Sequence, residues 1–144
     1  MLWDVEWLVK TAGAQRSVPA FDFLLGQPPA VRTQLLAIVD AVRSTGPDQW
    51  RDTSSHDSMH GACEHLHEAR DRHGQMLYRL YLLWQRREKR VVIVDGAVKP
   101  NSTMLPDSFY DDLAELAATA GEHPAPFAVS DDFARKALTT ENGT

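Results

Sequence analysis

The chain opens on alternation. In LWDVEWLV, Trp3, Val5, Trp7 and Val9 fall on one side and Asp4 and Glu6 on the other, the pattern of a half-buried strand. The period then changes. Ser17 stands where it would cap a short helix carrying Val18, Phe21 and Leu24, closed by Gly26-Gln27-Pro28. Pro29 starts a longer helix in which Val31, Leu35, Ile38, Val39 and Val42 recur at helical spacing, and Gly46-Pro47 stops it. From Asp48 to Gly61 the chain is polar apart from Trp50 and Met59 and reads as a loop.

The strongest β signal follows. Cys63 to about Arg70 reads as a strand, with Asp71-Arg72-His73-Gly74 as its turn. Gln75–Gln85 is aromatic and aliphatic, RREKR (Arg86–Arg90) makes a charged hairpin tip, and Arg90–Val98 is the most strand-like stretch, expected at the centre of a sheet. Three such strands with short turns form an antiparallel meander. After a polar Lys99–Thr103 loop, Pro106 opens a helix with Phe109, Leu113, Leu116 and Ala120 on one face, ended by Gly121. HPAPF (His123–Phe127) reads as a rigid extended linker, and Ser130 as the cap of a last helix before a frayed tail. The expected order is β-α-α-β-β-β-α-α, an α+β fold.

At 144 residues, 43% hydrophobic and 24% charged, the chain suits one globular domain. The expected division is a body over 1–121 and a linker with an acidic helix over 122–144, packed on the same domain. No stretch reaches the ~18–20 apolar residues of a membrane span. Asp4 and Glu6 stand where a signal peptide would be basic and then apolar, so a cytoplasmic location is expected. The lone Cys63 has no intrachain disulfide partner.

Charge is unevenly distributed. Up to Leu105 there are 13 Lys/Arg against 12 Asp/Glu, whereas from Pro106 onward there are two basic and eight acidic residues. Seven of the 15 basic residues lie between Arg70 and Arg90. The net charge of −5 is therefore a C-terminal property, and the body carries a basic strip. Five of the six histidines, His56, His60, His65, His67 and His73, fall near Cys63. H-x3-H and H-x-H spacings suit metal ligands, but CxxC and HExxH are missing, so polar surface residues are the expected reading and no cofactor is expected.

Three blocks in order carry a family resemblance. HEAR (His67–Arg70), Gly74 followed by YRLY (Tyr78–Tyr81), and VVIVDGAVKPNSTMLP (Val91–Pro106) together span about a third of the chain. They resemble the RelE/ParE toxin superfamily, most closely its phage-derived HigB-like branch. The resemblance implies a RelE-like β-α-α-β-β-β-α fold with an extra C-terminal helix. It also implies the toxin of a type II toxin–antitoxin system, a hydrolase-type endoribonuclease cutting mRNA on the ribosome by metal-independent 2′-hydroxyl attack. The implied partners are ribosome, mRNA and a cognate antitoxin of helix-turn-helix type, with self-association left open.

For that chemistry, Arg79 is the leading phosphate-binding cation, since a guanidinium stays charged and can grip two oxygens. Tyr81 shares its strand face and could stack on a base; Arg70 and Lys99 stand at strand ends and could neutralise adjacent phosphates. His67 or His73 could move protons near neutrality. Arg72, Arg86, Arg87, Lys89 and Arg90 complete the expected RNA-binding strip. The alternative is a catalytically inactive RelE-like module that binds protein. Its grounds are Pro100 where many members have a second basic residue, Glu68 where a lysine can stand, and a pI near 5.6. A simple structural role for Arg79, pairing with Glu68 or Asp95, also stays open.

Overall fold

A computed structural model describes residues 2–50, 56–58, 66–100, 105–122 and 128–141. The elements are β1 (Asp4–Leu8), β2 (Lys10–Ala12), β3 (Gln15–Ser17), α1 (Pro19–Leu25), α2 (Pro29–Trp50), β4 (His56–Ser58), β5 (His67–His73), β6 (Met76–Gln85), β7 (Arg90–Pro100), α3 (Asp107–Gly121), β8 (Ala128–Ser130) and α4 (Asp131–Glu141). One mixed sheet runs β4-β5-β6-β7-β1-β8, and β2-β3 is a separate hairpin. β5, β6 and β7 form the expected antiparallel meander, while β1 lies parallel to β7. The fold is α+β, with β7 inside the sheet as its run of Val and Ile demanded.

Helices cover both faces. Val31, Leu35 and Val39 of α2, Ala20 and Leu24 of α1 and Ala134 and Leu138 of α4 pack with Val5, Trp7, Leu80, Leu82 and Ile93. Leu113 and Ala120 of α3 pack on the other face with Leu8, Tyr81, Val92 and Val94. Alternation on β1 holds for Val5 and Trp7, but Leu8 is also fully buried because α3 covers the second face.

Several boundaries differ from the expectation, each for a local reason. Ser17 belongs to β3; the N-cap of α1 is Val18, with Pro19 pre-set for the first turn. β2 and β3 are three residues each, and β3 is exposed throughout, so no apolar rhythm announced them. Within the presumed 48–61 loop, Pro47–Trp50 adds a helical turn after a break at Gly46, and His56–Ser58 forms an edge strand. Trp50 is buried because its ring packs against Trp84, which in turn meets Trp3 edge-on at 5.1 Å. β5 runs on through His73, and the turn falls on Gly74 and Gln75. Lys99 and Pro100 extend β7 rather than opening a loop. Ser130 caps α4 as expected, its hydroxyl accepting from the Phe133 amide at 3.2 Å, but it also ends the short strand β8. The HPAPF linker lies outside the described residues. Among the described residues, no helix is long and apolar enough to cross a membrane.

Candidate functional site

Strand pairing decides which candidate side chains can meet. On β5, Glu68, Arg70 and Arg72 share one face; His67, Ala69, Asp71 and His73 share the other. Glu68 stands opposite Tyr81 and Arg70 opposite Arg79, while Leu77 stands opposite Lys99 on the far side of β6. Glu68, Arg70, Arg72, Arg79, Tyr81 and Lys99 therefore occupy the α3 face of the sheet, near the end where β5 and β6 turn. A bulge between Tyr81 and Leu82, which leaves Val94 of β7 without a register partner, keeps this face consistent on both sides of the kink.

The centre of the cluster is an ion pair. Arg79 Nη1 lies 2.9 Å from Glu68 Oε1 and donates to the Tyr81 hydroxyl at 3.4 Å. Both charges are deeply buried, with Glu68 4% and Arg79 6% exposed. Burial disfavours the guanidinium charge, but the Tyr81 hydroxyl and the Glu68 carboxylate more than offset this, and the Arg79 pKa is raised. Tyr110, from the first turns of α3, adds a further hydrogen bond to Arg79. Arg79 Nε is buried with no hydrogen-bond partner. Desolvation pushes the Tyr81 phenol well above its ordinary range, so it stays protonated.

Lys99 stands beside this pair. Desolvation and the neighbouring Arg79 charge lower its pKa, with Glu68 opposing. The cluster thus holds an acceptor carboxylate, a fixed cation and an ammonium with a weakened hold on its proton. Arg70 is half-buried and Arg72 exposed on the same face.

Other expected site residues are not brought here. His67 and His73 project from the opposite face, so neither shares a site with Arg79. His73 instead contacts the Asp71 carboxylate at 2.6 Å and meets Tyr78 edge-on. Tyr81 has no exposed surface and packs on Phe109, which leaves no face for a base to stack on. The basic strip is split by the length of β6. Arg86, Arg87 and Lys89 lie in the β6–β7 turn, on the order of 20 Å from Arg79 at about 3.3 Å per residue. Arg86 pairs with Asp48 at 3.1 Å. Arg90 is 8% exposed, bound to Glu6 at 2.5 Å and to Gln85, so it is a structural residue and not an RNA contact. His60, Cys63 and His65 of the histidine cluster lie outside the described residues.

Two members of the cluster were not among the candidates. Glu68 was expected as a departure from a family pattern and, with Asp95, as a possible structural partner of Arg79, and the pairing with Glu68 is the one observed. Tyr110 carried no signal, because its role depends on where α3 docks. No protein-family model, curated protein or solved structure matches the chain.

Proposed function

We propose that the chain has a RelE-like scaffold of the HigB-like type and acts as the toxin of a type II toxin–antitoxin pair, cutting mRNA at the ribosome. One observation carries this reading: Glu68, Arg79 and Lys99 meet on one face of the meander, with Arg70 and Arg72 beside them. The strand-helix-helix start, the three-strand meander and the following helix support the scaffold part.

In the proposed reaction, Glu68 takes the proton of an RNA 2′-hydroxyl as that oxygen attacks the adjacent phosphorus. The bond from phosphorus to the 5′-oxygen breaks, and Lys99 gives that oxygen a proton. The products are a 2′,3′-cyclic phosphate and a 5′-hydroxyl end; the proton on Glu68 and the one missing from Lys99 are exchanged with solvent. Arg79 and Arg70 balance the charge that builds on the non-bridging oxygens. Access to Glu68 and Arg79 requires the first turns of α3, which carry Phe109 and Tyr110, to give way.

That requirement favours a second reading, in which the buried pair is structural and the scaffold binds protein without cleaving RNA. Induced expression in a host lacking the antitoxin separates the two. The first reading expects growth arrest with new 5′-hydroxyl mRNA ends, both lost in Lys99→Ala at unchanged thermal stability. A soluble wild-type protein that causes neither arrest nor new ends would overturn it.

A further inference from the structure

The end of α3 that covers Arg79 is held differently from the rest of that helix. Leu113 and Ala120 are fully buried against the sheet, and Gln85 Nε2 of β6 donates to the Ala120 carbonyl at 2.7 Å. Phe109 and Tyr110 are half-buried, and Asp107, Ser108, Asp111 and Asp112 around them are exposed. The N-cap is Pro106, which makes no side-chain hydrogen bond to the first turn, so those amides lack the acceptor that a Ser or Asp would supply. Modest apolar burial and an uncapped end place this stretch at the low end of local stability.

The contacts this stretch makes fall on Arg79 and its neighbour. Phe109 lies against the Tyr81 ring at a centroid distance of 5.7 Å and meets Tyr110 edge-on at 5.6 Å, while Tyr110 hydrogen-bonds Arg79. With both rings in place Tyr81 has no exposed surface, Arg79 has little, and Arg79 Nε is buried with no hydrogen-bond partner. A buried donor without an acceptor is a cost of the closed arrangement, one that favours opening to water or to a ligand oxygen.

We propose that residues 107–110 are a lid, which peels from the sheet while residues 113–121 stay docked, and that the closed lid keeps Arg79 from phosphate. The bend falls at Asp111 and Asp112, exposed between the moving rings and the anchoring Leu113. Opening exchanges the Tyr110 contact on Arg79 for a phosphate oxygen and gives Nε an acceptor. The closed lid weakens the apparent affinity for RNA in proportion to the fraction of molecules that are open. The ligand rests on the reading of this face as an RNA site; the motion of the lid does not.

Two variants of the full chain loosen the lid: Phe109→Ala removes its packing on Tyr81, and Tyr110→Phe removes only the hydroxyl, which keeps the test open should the first fold poorly. Phenylglyoxal modification read by peptide mass spectrometry reports on Arg79, with exposed Arg72 and buried Arg90, at the other end of the sheet, as references. Phe109→Ala is expected to raise the Arg79 rate about fivefold or more, and Tyr110→Phe by less, with Arg90 unchanged. Hydrogen exchange should quicken at residues 111–114, whose amides bond back to the lid, and not at 117–120. A non-cleavable 2′-O-methyl tetranucleotide should bind Phe109→Ala about fivefold more tightly than wild type. Arg79 and Arg90 becoming reactive together, or faster exchange at 111–114 with Arg79 no more reactive, would overturn the lid. Equal oligonucleotide affinity in wild type and both variants would do the same. If Arg79 becomes reactive but none of the three proteins binds the oligonucleotide, the lid stands and the RNA reading of this face falls.

Discussion

Arg79 and Glu68 are costly to break and cheap to replace together. Each is desolvated by the packing of α3, and each offsets the other's charge at 2.9 Å. Removing one leaves the other buried and uncompensated, so Arg79→Ala should lower stability by about 3–5 kcal/mol in urea denaturation. Replacing both with methionine should be near neutral or stabilising. A small loss in the single variant would mean the carboxylate is solvated in solution. This is why Lys99→Ala, and not Arg79→Ala, is the cleaner probe of catalysis. Asp95 gives a second test. Burial raises its pKa, while its hydrogen bond from the Gly96 amide at 2.7 Å and Lys10 partly oppose that rise. A carboxyl raised in the folded state contributes most while protonated, and that contribution is lost as pH rises through the folded pKa. Asp95→Asn, which can still accept from Gly96, should therefore stabilise the protein at pH near 7. The gain should shrink as the solution is acidified into the carboxyl range; a gain that grows on acidification would contradict the assignment.

At the scale of elements, close approaches fix how helices meet strands. A Cβ on Gly96 would lie 2.3 Å from the Phe23 ring of α1, so α1 sits against β7 only because that position is glycine. Gly96→Ala should cost about 1–3 kcal/mol by overpacking, and Phe23→Leu in the same chain should recover part of it, read by thermal unfolding. Gly46 has φ 74° and faces Trp3 Nε1, which a Cβ would meet at 2.7 Å. The break it makes in α2 turns Trp50 back onto Trp84. The sequence made Gly46-Pro47 legible as a stop, the meander legible through its β-branched runs, and α3 legible through Phe109, Leu113, Leu116 and Ala120. It left β2, β3, β4 and β8 unread because a three-residue strand has too few positions to establish a period. For the site, alternation alone joined Arg79 to Tyr81 and Lys99 stood in the expected block. The exclusion of His67 and His73 needed the register of β5, because a shift of one residue would have moved both to the other face.

Across the whole molecule, charge is sorted by face and by end. Arg70, Arg72, Arg79 and Lys99 share the α3 face near the β5–β6 turn, whereas Arg86, Arg87 and Lys89 crowd the opposite end. The C-terminal helix belongs to neither surface outright. Ala134 and Leu138 of α4 join the core with α1 and α2, and Arg135 bridges to Asp40 at 2.8 Å, so its bulk lies behind the sheet from Arg79. Among the described residues of α4, Asp131 and Asp132 lie near the Arg90 end of the basic strip. α4 therefore packs on the face of the sheet opposite Arg79. Removing residues after Gly121 should destabilise the chain through lost contacts at Trp7, not enhance RNA binding. The same sorting predicts how RNA association depends on salt. If RNA uses the α3 face, R70Q/R72Q should weaken binding and reduce the slope of log affinity against log salt by about one to two, since each phosphate contact contributes ~0.7 to the slope for a single strand. R86Q/R87Q removes the same charge from the other end and should leave slope and cleavage nearly unchanged. Equal effects from the two pairs would mean that RNA follows net charge and not the α3 face, and the site at Glu68, Arg79 and Lys99 would lose its substrate.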